Sequence, residues 1–366
     1  MNRIQLMKYL DRLVGPPATA LAAAIFRPRA TTSGDIHSIL VVRPGGIGDA
    51  VLLIPAIKAL RHAFPAARLD ILAEQRNAEV FRSLPEITRL YQYDRCKELS
   101  AVVRARYDIV IDTEQWHRLS AVLARLARAP MLIGFATNAR RRLFTHPVPY
   151  SQDTYELESF LDLLTPILAV QKNMPLAPFF PLSDDAKRMI APRIKKLSGR
   201  KTVVIFPGGS IPERQWGAAN FRDVAAWLVE RGYGVVVVGG KTDTREGRQI
   251  AEGLDFVIDV TGCLTLGETA AVIQSASLLI SGDSGILHIG YALGVKTIGL
   301  FGPGRQAKWA PRENGVVFNR NLPCSPCTTF GYTPQCANGA ICMKSISSHE
   351  VAEMAVRMLN GITLTV

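Results

Sequence analysis

The chain reads as an α/β protein built from two Rossmann-like domains. Three observations predict this. Its 366 residues exceed the usual size of a single core. Short apolar runs alternate with helix-like segments along its length. Glycine-rich turns follow several of those runs, where doubly wound sheets bind ligands. A composition of 48% hydrophobic and 20% charged residues suits a globular chain and excludes a disordered one.

The first apolar run, Ser38 to Val42, is followed by Arg43-Pro-Gly-Gly-Ile-Gly-Asp49 and then the helical pattern AVLLIPAIKALRHAF, a strand, glycine turn and helix in succession. Leu69 to Leu72, Asp108 to Asp112 and Met131 to Ile133 read as further strands with helical segments between them. This alternation implies a parallel sheet covered on both faces. The segment from Lys172 to Asp185 carries Pro175, Pro178 and Pro181 and little periodicity, so it reads as the connection between domains. The expected division is a leader over residues 1–37, a first domain over 38–185 and a second over 186–366.

Beyond the connection the alternation restarts with Thr202 to Phe206, a Pro-Gly-Gly-Ser turn and a helix from about Ala218. Gly234 to Val238 and Ser277 to Ser281 are the next strands. Gly282-Asp-Ser-Gly285 then opens a helix through His288 and Tyr291, and Val295 to Gly302 closes the unit as a strand. With two such domains, both sets of turns are expected to face one central cleft.

No stretch approaches the roughly 18 to 20 apolar residues of a membrane span; the nearest, Pro17 to Phe26, is about half that length. Asp11, Arg12, Gly15 and Pro16 interrupt the place where a secretory signal would be apolar, so a cytoplasmic location is expected. The formal charge of +12, from 43 Lys+Arg against 31 Asp+Glu, points to an anionic partner. Nucleic acid is the weakest of these, because zinc-finger, helix-turn-helix and RNP-type signals are missing and the basic residues are scattered. Arg140, Arg141 and Arg142 form the one tight basic run.

Gly45-Gly46-Ile47-Gly48 lacks the third glycine of a dinucleotide fingerprint, whose place is taken by Val51. Nicotinamide and flavin chemistry therefore lose their main support. The glycines still allow close backbone approach to a ligand at a helix N-terminus. Asp49, at the mouth of that turn, either serves the chemistry or caps the helix. Phe206-Pro-Gly-Gly-Ser210, with Arg214 and Trp216 downstream, suits a phosphate and base cradle. Gly282 to Gly285 offers small residues at a helix start, which suits a diphosphate. Asp283 would repel a phosphate, so it is expected to accept hydrogen bonds from loop amides or a ribose hydroxyl. His288, one turn inside that helix, is either a ligand or a satisfied helix-face histidine.

Cys324, Cys327, Cys336 and Cys342 cluster late in the chain. Their spacing leaves three states open: a structural zinc or iron, free thiols, or disulfides. Cys96 and Cys263 are isolated and are expected to be buried as small hydrophobes.

The blocks RPGGIGDAVLLIPAIKALRHAFP, FPGGSIPERQWGAANF and SGDSGILHIGYALGVKTIGLFGP together resemble glycosyltransferase family 9, the ADP-heptose:lipopolysaccharide heptosyltransferases, over about residues 38 to 358. The cysteine segment CSPCTTFGYTPQCANGAICM also looks like that of many members. The resemblance implies the GT-B architecture, an acceptor-holding first domain, a nucleotide-sugar-holding second domain, a final helix that crosses back, and catalysis without a metal. By position Asp49 matches the proposed general base and Gly45, Gly46 and Gly48 the loop on the acceptor side. Ser210, Arg214, Asp283, Ser284, Gly285 and His288 match donor-site positions. Arg214 stands where several members have Lys, and offers a bidentate fork.

The expected activity is thus an inverting transfer of heptose or a related sugar from a nucleotide diphosphate, with ADP-heptose the expected donor and a lipopolysaccharide core or other glycan the acceptor. A sugar-nucleotide epimerase would instead need carboxylates around the sugar, and products formed from donor alone separate the two. A non-catalytic nucleotide-binding module would tolerate loss of Asp49. The leader is longer than in the best-known core heptosyltransferases. Its start, MNRIQLMKYLDRL, is basic and partly apolar, which suits either an anionic membrane surface or packing against the enzyme body.

Overall fold

The structure is a computed structural model that describes residues 3–27, 35–169 and 177–361. The chain divides into two compact units, Met1–Met174 and Pro175–Val366. Of the predicted connection, the Lys172 to Leu176 part lies outside the described residues. Phe179 and Phe180 donate their backbone N–H groups to the carbonyl of Ala292 at 2.8 and 3.0 Å, which ties the following stretch into the second unit.

In the first unit, β1 (Ser38–Arg43), β2 (Arg68–Ala73), β3 (Arg89–Gln92), β4 (Ile109–Asp112), β5 (Met131–Phe135) and β6 (His146–Val148) form a sheet ordered β3-β2-β1-β4-β5-β6. Every pairing is parallel, and Val41 of β1 stands between Ile71 and Ile111. In the second unit, β7 (Thr202–Phe206), β8 (Gly234–Val237), β9 (Val257–Asp259), β10 (Leu278–Gly282), β11 (Thr297–Phe301) and β12 (Gly315–Asn319) are ordered β12-β11-β10-β7-β8-β9. Counted from its own first strand, each sheet has the same doubly wound order. The strand sequence therefore reverses direction between β1 and β4 in one unit and between β7 and β10 in the other, and these switch points are where such sheets open a crevice for ligands.

β1 and β10 are buried along their whole length, as expected of parallel strands covered on both faces. Their apolar runs join two separate cores. Leu40, Val42, Val110 and Leu132 contribute to one, and Val203, Ile205, Ile280 and Ile298 to the other.

The leader belongs to the first unit. Its helix Arg3–Ile25 packs on the helix Arg118–Leu126 through small and polar residues. Gly15 lies so close to Arg118 that an added Cβ would stand 3.1 Å from the Arg118 Cβ. Asp11 Oδ1 accepts the backbone N–H groups of Arg118 and Leu119 at 2.7 and 2.8 Å, capping a helix whose own N-cap residue supplies no side chain for this.

Two expectations are corrected. The final helix, Ser348–Leu359, buries Val351, Ala352 and Ala355 in the second unit's own core against the helix Ala218–Glu230; its apolar face is used there. Cys96 and Cys263 are exposed, the first opening a helix and the second in the turn after β9. Arg140, from the basic run, is buried and donates to Asp112 at 2.6 Å. No helix of the described residues is long and apolar enough to cross a membrane.

Candidate active site

Two constellations lie at the carboxyl ends of the switch-point strands, one in each unit. In the first, the chain leaves β1 through Gly45, whose φ is +111°. An added Cβ there would also stand 2.7 Å from Arg43 Nη2, so the position demands glycine for both conformation and space. Gly46 is the N-cap of the short helix Ile47–Leu52 and Gly48 sits in its first turn.

Asp49 is not the cap. It lies in the helix's first turn and sends Oδ2 to within 3.5 Å of Arg43 Nη2, with 19% of its side chain exposed. The same guanidinium nitrogen lies 3.4 Å from Glu114 Oε2, and Nη1 donates to the Thr113 carbonyl at 2.9 Å. Asn77 Nδ2 holds the Arg43 and Gly45 carbonyls from below at 3.2 and 3.1 Å. One buried cation at the end of β1 thus fixes two carboxylates, one from the helix that follows β1 and one from just beyond β4.

The two carboxylates titrate in opposite directions. Burial, opposed by Arg43 and Arg76 and reinforced by Glu156 and Glu114, raises Asp49 to about 6. Burial also pushes Glu114 upward, but His117, Arg43, Arg140 and the Trp116 backbone N–H outweigh it and hold Glu114 at about 2. Asp49 is therefore the carboxylate that exchanges a proton near neutrality, and Glu114 is a fixed charge. Behind them, Glu156 accepts from Gln115 and from Tyr150, whose hydroxyl is 2.9 Å away. Burial and the Glu156 charge push Tyr150 far up, so it stays a hydrogen-bond donor.

In the second unit, Ser284 is the N-cap of the helix Gly285–Ala292; its hydroxyl accepts from the Leu287 N–H and meets Ser281 Oγ at 2.9 Å. Gly285 is the first residue of that helix. Asp283 faces Arg214, Oδ2 to Nη1 3.2 Å, rather than loop amides. The pair is close but poorly aligned, for Asp283 Oδ2 and Arg214 Nε are both buried without hydrogen-bond partners. An added Cβ on Gly304, in the loop after β11, would collide with Asp283 Oδ2, so that glycine makes room for the carboxylate.

His288 is buried one turn inside the helix with Nδ1 lacking a partner. Burial, opposed by Asp283 and reinforced by Arg214, lowers its pKa to about 4, and it is neutral at physiological pH. Ser210 is exposed in the turn that leads to Arg214. Trp216 is withdrawn from any cradle: its indole N–H donates to the Ile346 carbonyl at 3.0 Å and its ring packs edge-on against Phe221.

Cys324, Cys327, Cys336 and Cys342 line one open pocket with Glu213 and Pro303. All four are free thiols. Among the described residues no three His, Cys, Asp or Glu side chains are placed to hold a metal ion.

Sequence reading missed Arg43, Glu114, Glu156 and Asn77. Arg43 and Glu114 did carry a signal, since both stand at the carboxyl ends of strands that were recognised. Glu156 and Asn77 carried none, because only the tertiary fold brings them beside the turn.

Two units with the same Rossmann-type strand order and polar turns at their switch points define a doubly wound α/β protein. The sequence profile described as Glycosyltransferase family 9 (heptosyltransferase) matches residues 96–337, and the chain belongs to that family; it is a glycosyltransferase of GT-B architecture. It is 32% identical over 296 residues to lipopolysaccharide heptosyltransferase 3 of Escherichia coli, covering 74% of this chain and 85% of the relative. A family 9 glycosyltransferase from Veillonella parvula shares the fold with a TM-score of 0.76 at 22% identity, over 91% of this chain and 100% of that one. The E. coli ADP-heptose lipopolysaccharide heptosyltransferase II does so with a TM-score of 0.71 at 21% identity, over 88% and 99%.

Proposed function

We propose that this glycosyltransferase moves a heptose from ADP-heptose to a lipopolysaccharide core acceptor with inversion at the anomeric carbon. The observation that carries the reading is the exposed edge of Asp49, a carboxylate held by Arg43 whose pKa burial raises to about 6. It receives the proton of the acceptor hydroxyl as the oxygen forms its bond to the anomeric carbon. The bond from that carbon to the diphosphate oxygen breaks, and ADP leaves with the electron pair. ADP departs as an anion, so no general acid is needed.

In the second unit Arg214 and the N–H groups opening the helix Gly285–Ala292 stabilise the diphosphate charge. Neutral His288 offers Nδ1 to a hydrogen bond at the same turn. The names of the relatives support the choice of sugar and acceptor, and the reaction needs no catalytic metal. On this reading the protein works in the cytoplasm, and its six free cysteines suit a reducing compartment.

The test is incubation of the purified enzyme with ADP-heptose and a panel of truncated lipopolysaccharides, with products read by mass spectrometry and released ADP by chromatography. Addition of one heptose mass with stoichiometric ADP supports the reading. Turnover of the donor to an isomer without acceptor would contradict it.

A further inference from the structure

The N-terminal helix Arg3–Ile25 is inverted in its amphipathicity. The side it buries against the helix Arg118–Leu126 consists of Asp11, Gly15, Thr19 and Ala22, small or polar residues spaced four, four and three apart. The side it turns outward carries Tyr9, Leu10, Leu13, Val14, Leu21 and Ile25, between 42% and 60% exposed. Of the ten exposed large apolar side chains among the described residues, six are on this one helix. Scattered exposed apolar residues need no explanation, but a row of six along one helix does.

The charge around that row has one sign. The helix contains a single carboxylate, Asp11, and it is turned inward to cap its neighbour. Arg12 and, just past the helix end, Arg27 are exposed. The 3₁₀ turn Ala139–Leu143 packs beside this helix. It buries Arg140 on Asp112 but leaves Arg141 and Arg142 exposed. A second copy of the same face would bring cations onto cations. A surface that is apolar in its depth and anionic at its rim matches both features.

We infer that the outward face of the helix Arg3–Ile25, with Arg12, Arg141 and Arg142 around it, is a docking surface for an anionic lipid bilayer, the helix lying in the headgroup plane. The apolar side chains enter the acyl boundary and the arginines meet the lipid phosphates. The helix stays on the bilayer surface, since it is too polar to span. The inference uses neither the donor nor the acceptor, so it holds or fails independently of the transferase reading.

The experiment is flotation of the full chain with vesicles of phosphatidylcholine alone and of phosphatidylcholine mixed with phosphatidylglycerol, without nucleotide or acceptor. Binding to the mixed vesicles that weakens with added salt, and weaker binding to neutral ones, is expected. Leu13→Ser with Leu21→Ser should abolish binding, while near-ultraviolet circular dichroism and thermal stability stay at wild-type values because both side chains are exposed. Arg141→Gln with Arg142→Gln leaves the apolar row intact and should weaken binding to anionic vesicles about tenfold or more. Wild-type protein that stays with the unbound fraction on both vesicles overturns the inference. So does sedimentation showing a dimer that Leu13→Ser and Leu21→Ser dissolve, because a second copy would then own the face.

Discussion

The two switch points share one strand order but are finished differently. At the first, Arg43 is engaged by Asp49, Glu114 and the Thr113 carbonyl, so both carboxylates find a cation within the protein. At the second, Arg214 Nε, Asp283 Oδ2 and His288 Nδ1 are buried with no hydrogen-bond partner. Unsatisfied buried polar atoms are costly, and a ligand donating to or accepting from these three would relieve that cost. On the proposed reading the difference is a division of labour: the first site prearranges a proton acceptor, and the second keeps the Arg214 and His288 nitrogens for an anionic ligand.

The largest expected effect that tests this division is Asp49→Asn. Loss of a general base should lower kcat by roughly 10²-fold or more, read in a steady-state assay of ADP release. Retention of more than about a tenth of wild-type turnover, far short of that loss, breaks the assignment. Next in size, Arg214→Ala should weaken ADP binding by about 1.5 to 3 kcal/mol, the worth of a charge-assisted hydrogen bond. An unchanged dissociation constant would move the diphosphate site to the Gly282 to Gly285 turn alone.

A smaller effect sharpens the first site. Asp49 acts ionised and its pKa is raised to about 6, so kcat/KM should rise with pH through that value. Arg43 lowers the Asp49 pKa and Glu114 raises it. Arg43→Gln should therefore move the acid limb to higher pH, and Glu114→Gln to lower pH. Limbs that coincide in all three proteins would show that another group titrates.

The smallest effect concerns the cysteine loop. Cys342 is buried in the second unit's core, and Cys342→Ser places a hydroxyl there at a cost of about 1 to 3 kcal/mol. Calorimetry should show a Tm lower by a few degrees with kcat unchanged. A lost rate at unchanged Tm would bring the loop into the chemistry.

The strands that sequence reading found and those it missed separate along the same physical line. β1, β2, β4 and β5 were found, as were β7, β8, β10 and β11, and these are the central strands of both sheets. β3, β6, β9 and β12, which were not, are the four edges. Central parallel strands are buried on both faces and read as continuous apolar runs, such as Ile39 to Val42. Edge strands are half-exposed, as in Arg89–Gln92 and Gly315–Asn319, and a sequence like RLYQ carries no such run.

The site divides similarly. Asp49, Arg214 and the Gly282 to Gly285 turn were legible because local chemistry marks them: glycine, charge, strand end and helix start in a few consecutive residues. Arg43's double ion pair was not, because Glu114 is 71 residues away in the chain and only the β1 to β4 pairing brings it near. Trp216 was misread for the converse reason. Its place after a glycine turn suggested a ligand platform, while the Ile346 carbonyl that holds it inward is invisible from the turn.

The most direct test of the division between the two switch points is calorimetric titration of ADP into the wild type, Asp49→Asn and Arg214→Ala side by side. The account predicts that Asp49→Asn binds ADP as the wild type does, while Arg214→Ala binds about tenfold or more weakly. Weakening by Asp49→Asn with full affinity in Arg214→Ala would place the nucleotide at the first site and contradict the account.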